Sequence, residues 1–354
     1  MQTYILKRLL LFFPTLLGVV LINFAIIQMV PGGPVEQRLA EMRHGGAGGG
    51  GGETQIAGNA NALSSRKGLD EDKIKELEKL YGFDQPTHVQ LWRWVSRLFT
   101  FQFGESFFHH KDVAELVKDK LPVSLSLGIT SFLLTYLICI PLGIAKAVRE
   151  GSAFDVLSST IVLIGYSIPG FVLGVLLIVL FGGGSFWDVF PIRGLTSDNF
   201  DSLSPWQQLL DYAHHLVLPI ICLSIGSFAV MTALTKNTVL DNMKQLYVLT
   251  ARAKGLDERV VLWKHVFRNS MIPLVTGFAG SFLTMFFSGS LLIETLFSLD
   301  GIGLLSFNSV MARDYPVVMA SQFFFSLLFV VGNLMSDVMY VIVDPRIDFD
   351  QVAG

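Results

Sequence analysis

Six stretches of about 20 residues or more lack Asp, Glu, Lys and Arg altogether: Leu9 to Val30, Val123 to Ala145, Val156 to Phe181, Leu216 to Thr235, Met271 to Ile293 and Val317 to Ser336. The last runs on to about Val343 past Asp337. A bilayer core about 30 Å thick needs about 20 helical residues, so each stretch is long enough to span. Unpaired backbone groups cannot face lipid, which leaves helices or closed barrels. A barrel would show short alternating strands, and these runs are long and continuous. The expected class is therefore all-α, a polytopic membrane protein with six transmembrane helices. The composition agrees, with 51% hydrophobic and 16% charged residues, far from that of a soluble domain.

The net charge of −3 matters less than how Lys and Arg divide between the two sides. Lys7 and Arg8 precede the first run, which has no small-x-small cleavage site and ends in Pro31-Gly32-Gly33-Pro34, so it reads as an uncleaved span rather than a signal peptide. Lys146 and Arg149 lie between runs two and three, and only Arg193 lies between three and four. Seven basic residues from Lys236 to Arg268 separate runs four and five, and only Arg313 separates five and six. That alternation places both termini in the cytoplasm. The expected organisation is an N-terminal segment and first helix over 1–30, an extracytoplasmic segment over 31–122, and a five-helix core over 123–354 containing a cytoplasmic loop, 236–270.

Within the outer segment, residues 45–52 read GGAGGGGG, a tract with no side chains to pack. Helices are expected from Asp70 to Leu80, with Gly82 as its stop, and from Val89 to Phe101, where Trp92 and Trp94 suit a membrane interface. Cys139 and Cys222 sit in different apolar runs and read as small packing residues. No metal, cofactor or nucleic-acid partner is expected.

The basic loop is the least membrane-like part of the core. Gly255 divides it into two helical pieces, and Asp257 and Glu258 stand at the positive end of the second. Leu256, Val260, Trp263 and Phe267 follow a four-three-four spacing and share one face. Such a face needs a cover, and spacing alone leaves a cytoplasmic partner and the lipid surface both open. Glu294 at the outer end of run five and Asp337 in run six are ionisable groups at membrane depth, which normally face a bundle interior or water. Among polar residues in the spans, Ser227, Thr284 and Ser288 are available to line a path, though Ser and Thr also bond to their own helix backbone.

The run from Tyr247 through Gly255, YVLTARAKG, resembles the conserved cytoplasmic loop of permease subunits in binding-protein-dependent ABC importers, and more narrowly their dipeptide, oligopeptide and nickel branch. Leu249 stands where that family carries a glutamate. The resemblance continues through Lys7-Arg8-Leu9-Leu10, Val30 to Pro34, Tyr81 to Pro86, Phe103 to Ser106, Glu294 with Phe297, Arg313 to Val317 and Asp344-Pro345-Arg346. The glycine-rich insertion with Phe297-Ser298-Leu299 and Asp344 to Phe349 is similar to the Yej-type subgroup of peptide importers, which take up microcin C.

The resemblance implies a type I importer permease fold in a bacterial inner membrane. The implied partners are a second homologous permease, a cytoplasmic ATPase, an extracytoplasmic peptide-binding protein and membrane lipid. ATP hydrolysis would reside on the partner, consistent with the absence of a GxxxxGK[ST] phosphate loop. The implied coupling residues are Thr250, Ala251, Arg252, Ala253, Gly255, Leu256, Val260, Trp263 and His265. A path or gate would involve Ser227, Thr284, Ser288, Glu294 and Phe297. The alternative is an ion-coupled secondary transporter of small peptides, which would show an internal repeat and convergent charges near the midplane. An intramembrane protease would need facing catalytic groups inside the spans. Neither alternative accounts for the basic, glycine-broken loop.

Overall fold

The computed structural model describes residues 2–29, 84–183, 186–278, 280–281 and 290–343. Among these the regular structure is helical, with two isolated β-bridges, Glu105 to Asp112 and Gly182 to Asp188. In chain order the helices are α1 (Gln2–Met29), α2 (Thr87–Phe99), α3 (Val113–Val148), α4 (Ala153–Ser167), α5 (Gly170–Phe181), α6 (Pro205–Met243) and α7 (Leu246–Ala253). A single turn α8 (Glu258–Val260) then opens into a π-helical stretch, Val261–Phe267, and α9 (Arg268–Thr276). The remaining helices are α10 (Ser290–Leu296), α11 (Ile302–Met311) and α12 (Tyr315–Val343).

Several helices overrun the charge-free stretches that announce them. The run from Val123 to Ala145 lies inside the 36 residues of α3, and Leu216 to Thr235 lies inside the 39 of α6. Lipid dictates only the apolar middle of a spanning helix, and once nucleated the helix extends at one hydrogen bond per added residue. At the start of α6, Ser204 and Gln207 form a reciprocal capping box and Pro205 takes the first helical position, where its missing N–H costs nothing. On length and composition α3, α6 and α12 can each cross a membrane.

The third apolar run is not one straight helix. α4 and α5 meet at 98°. Ile168, placed before a proline, is extended at φ −97° and ψ 118°, and Pro169 follows without an N–H to continue the ladder. Packing fixes the bend, because a Cβ on Gly170 would lie 2.6 Å from the Cys222 carbonyl oxygen of α6.

The chain divides into two compact units. Residues 1–10, 119–305 and 327–354 form one. One of its cores gathers Leu127, Leu216, Leu218, Ile220, Cys222, Ile293, Phe297 and Leu299. Another packs Cys139 against Met231 and Leu274. Both cysteines are buried free thiols in separate clusters. His215, just before the fourth apolar run, is buried and its Nδ1 lies 2.8 Å from the Asp211 carbonyl oxygen.

Residues 11–118 with 306–326 form the other unit. Here Trp94 of α2 meets Phe24 of α1 edge to face at 5.6 Å, and Phe103 packs on Phe323 and Phe324. The expected helix from Val89 to Phe101 is α2, shifted by two residues. The expected helix from Asp70 to Leu80 and the glycine tract 45–52 lie outside the described residues.

Candidate coupling site

Leaving α6 at Met243, the chain turns through Lys244 and an extended Gln245 into α7. Val248 and Ala251, three apart on α7, are buried, while Leu246 and Leu249 stand 79% and 51% exposed. The helix ends in a Schellman turn: the Gly255 N–H donates to the Arg252 carbonyl at 2.9 Å and the Leu256 N–H to the Ala251 carbonyl at 3.4 Å. Gly255 has φ +77°, the left-handed region where a Cβ is disfavoured, so the expected bend lies at this glycine.

Two contacts set the angle of the next piece. The Asp257 carboxylate accepts the Arg259 N–H at 2.7 Å, capping α8. Across the turn Arg252 grips Glu258 as a fork, Nε to Oε1 at 2.8 Å and Nη2 to Oε2 at 3.1 Å. Arg252, a residue implied as a partner contact, is thus engaged within the hairpin. The pair is solvent-facing, so it orients more than it stabilises.

Beyond α8 the helix widens. Val261 and Val266, five apart, are both 1% exposed. In an α-helix five residues turn well past one revolution, whereas i to i+5 closure in a π-helix returns them to one side. Together with Val248, Ala251, Ile144, Ala147 and Val239 they form a core that joins the hairpin to the ends of α3 and α6. Ser270 adds a hydrogen bond from its Oγ to the Thr238 carbonyl at 3.2 Å. This inward face was missed by a four-three-four reading, and the five-residue valine spacing was its signal.

Three residues of the predicted face point outward, while the fourth, Phe267, packs against the inner core. Leu256, Val260 and Trp263 are 40%, 42% and 56% exposed, with Trp263 edge to face on a half-buried Phe267 at 5.1 Å. Thr250 and Ala253 of α7 are exposed as well, His265 is half-buried, and Ala251 faces the hairpin's own core.

The five path residues do not converge on one lining. Ser227 is half-buried on α6, and Thr284 and Ser288 lie outside the described residues. Phe297 is a core side chain. Glu294, expected near water or a gate, is completely buried and caps α11: its Oε2 accepts the Leu304 N–H at 2.6 Å, while Ser124 Oγ accepts the Ile302 N–H at 2.8 Å. A carboxylate is favoured at a helix N-terminus. Gly301 makes room for it, since a Cβ there would lie 2.5 Å from Glu294 Oε1.

One buried charge cluster was not anticipated. Asp155 in the first turn of α4 receives Lys236 Nζ from α6 at 2.8 and 2.7 Å, and the Gly151 N–H at 3.1 Å. Lys146 Nζ of α3 lies 3.6 Å from the same carboxylate and donates to Ser158 and Ser159. Lys146 and Lys236 look in sequence like loop charges; folded, they tie three helices together on the hairpin side of the unit.

The family described as binding-protein-dependent transport system inner membrane component matches residues 139–349, which contain the whole hairpin. The chain is 50% identical to the peptidoglycan transport system permease protein YejB of Agrobacterium fabrum over 99% of both chains. It is 48% identical to the inner membrane ABC transporter permease protein YejB of Escherichia coli, over 99% of this chain and 100% of the relative. Identity to the oligopeptide transport system permease protein AppB of Bacillus subtilis is 34%, over 99% of this chain and 100% of the relative. With a family match across more than half of its length and end-to-end identity to such relatives, the chain belongs to the binding-protein-dependent transport system inner membrane components, the multi-pass permease subunits of ABC importers, and is a membrane-transport component rather than an enzyme.

Proposed function

We propose that this chain is one half of the translocation path of an ATP-driven peptide importer of the Yej type, paired with a second homologous permease. Oligopeptides are its substrates, with peptide antibiotics such as microcin C among them. Names of the relatives support the substrate class: peptidoglycan transport and oligopeptide transport. A peptide-binding protein delivers on the outer side, both termini lie in the cytoplasm, and lipid surrounds the exposed apolar faces of the spans.

The observation that carries the coupling reading is the two-sided hairpin. Its inner face, Val248, Val261 and Val266, is buried against the ends of α3 and α6. Its outer face, Leu249, Leu256, Val260 and Trp263, is apolar and uncovered among the described residues. A rigid element with one face fixed to the helices and the other open suits a lever between the spans and a cytoplasmic ATPase. Closure of the ATPase shifts the permease only through different contacts in its two states. Ser227, Thr284 and Ser288 are assigned to the path, and Glu294 and Phe297 to the frame that supports its outer end.

Cysteines placed at Leu256 or Val260 test this in the assembled complex. Crosslinks to the ATPase that persist during turnover are the expected result. Labelling solely by lipid-phase reagents would assign the face to the membrane and overturn the coupling reading. Copurification supplies the partner test, with an ATPase and a second permease expected to accompany a tagged copy.

A further inference from the structure

The unit made of residues 11–118 and 306–326 contains a cavity of about 310 Å³, separate from the coupling hairpin. Its walls include Trp94, Leu98, Phe103 and Met319, and its charged lining residues include Arg97 and Glu105. Among the described residues neither the Arg97 guanidinium nor the Glu105 carboxylate has a hydrogen-bonding or ion-pair partner; both side chains are exposed at the rim, and Ser106 and His110 join the aromatic and aliphatic lining. The guanidinium lies over Gly104, where a Cβ would be 3.6 Å from Nη1.

The frame around the cavity is held in place. Asp314, 1% exposed, accepts the Ser106 hydroxyl at 2.5 Å and the Phe107 N–H at 3.1 Å, and Ser106 Oγ accepts the His109 N–H at 2.9 Å. Phe101, His110 and Arg313 adopt left-handed φ values of 56°, 50° and 56°, and Gly104 has φ 86°. Left-handed backbone at side-chain-bearing residues persists where the surroundings over-determine it, and such positions gather at ligand sites.

An apolar pocket with a few fixed polar groups is the usual form of a small-molecule site, and this volume is at the small end of the range. A planar guanidinium suits bidentate binding of a carboxylate, and a nearby carboxylate suits an ammonium. We propose that this cavity binds a zwitterionic peptide of dipeptide size, its apolar side chain within the aromatic walls, its terminal carboxylate on Arg97 and its ammonium on Glu105. The choice of a peptide over another amphipathic zwitterion rests on the import reading above.

The test uses the complete complex in lipid nanodiscs without the binding protein, with alanyl-phenylalanine as probe. Expected are saturable binding by equilibrium dialysis and a change in tryptophan fluorescence that disappears in Trp94→Phe. C-terminal amidation of the probe weakens binding at least tenfold, and Arg97→Gln does the same for the free dipeptide while leaving the amide's binding unchanged. That pairing separates a lost carboxylate contact from general misfolding. Equal binding of dipeptide and amide, or an Arg97→Gln complex that binds like the parent, would overturn the proposal. Arg97→Gln blocking attachment of the binding protein, with no dipeptide binding in the parent, would overturn it in favour of a protein-docking surface. Failure here in a complex that still imports peptides leaves the import reading intact; carboxylate-dependent binding without import would sink that reading instead.

Discussion

Substitution of Gly255 separates backbone conformation from packing with little ambiguity. A Cβ added there meets no atom within 4 Å, and φ is +77°, so the penalty is conformational: about 1–2 kcal/mol for an L-residue in the left-handed region. β-Branching makes that region still less accessible. What opposes the strain is the inward face of the hairpin, where each fully buried valine contributes about 1.5–3 kcal/mol, and Val248, Val261 and Val266 are all at 1% exposure or less. Burial outweighs strain, so Gly255→Ala keeps the hairpin docked on the ends of α3 and α6. The turn itself changes population by a factor of about 5–30, the equivalent of 1–2 kcal/mol. Membrane insertion and assembly should be normal, while peptide-stimulated ATP turnover of the reconstituted complex falls by up to that factor. Gly255→Asn should fall least, because asparagine tolerates the left-handed region, and Gly255→Val most. Equal stimulated turnover in the three variants would refute the reasoning, as would loss of insertion in Gly255→Ala.

Asp155→Asn removes the carboxylate that Lys146 and Lys236 share and leaves two cations facing each other without it, so thermal unfolding of the detergent-solubilised subunit should shift down, with partial recovery in Asp155→Leu combined with Lys236→Met. Glu294→Ala leaves the Leu304 N–H without its acceptor and should destabilise by about 1–3 kcal/mol in the same assay, with Glu294→Gln intermediate. Deletion of 45–52 should leave insertion and transport near parental levels, since seven glycines and one alanine offer almost no side chain to pack and shortening a loop changes closure entropy only slightly; failure to insert would show the tract is structural.

The spans in α3, α6 and α12 were legible because bilayer thickness converts directly into a run length, whereas the third run, read as one span, breaks at Pro169, a residue that cannot continue a ladder. Helix ends were not, since α3 and α6 continue as polar helices where the apolar run stops. The hairpin was half legible. Gly255, Asp257 and the outward face follow from local rules, but assuming 3.6 residues per turn hides a π-helical stretch whose buried valines are five apart. Long-range partnerships had no local trace: Lys236 meets Asp155 across 81 positions, and Ser124 meets the Ile302 N–H across 178. For Glu294, membrane depth singled out the residue but suggested a gate or water, and nothing in sequence distance links it to the start of α11, where it is buried as a cap.

Two valines of the hairpin allow the lever reading to be tested with one chemical change made on opposite faces. Val260 is 42% exposed and Val266 is 1% exposed. Truncating Val266 to alanine deletes two methyl groups from a packed core, worth about 0.8 kcal/mol each before any cavity is counted. Val266→Ala should therefore lower the thermal stability of the permease and loosen the hairpin from α3 and α6. The same truncation at Val260 removes surface already in contact with solvent in the isolated chain, so stability should be close to parental. Its effect should appear only when the outer face is covered, as weaker attachment of the ATPase or poorer coupling of its turnover to transport. If Val260→Ala left both attachment and coupling unchanged when combined with Leu256→Ala and Trp263→Ala, the outer face would not be the docking face. If Val266→Ala impaired coupling with no loss of stability, the inward face would be doing something other than fixing the hairpin to the spans. The paired result, a stability defect from one face and a coupling defect from the other, is what a rigid lever with two dissimilar faces requires.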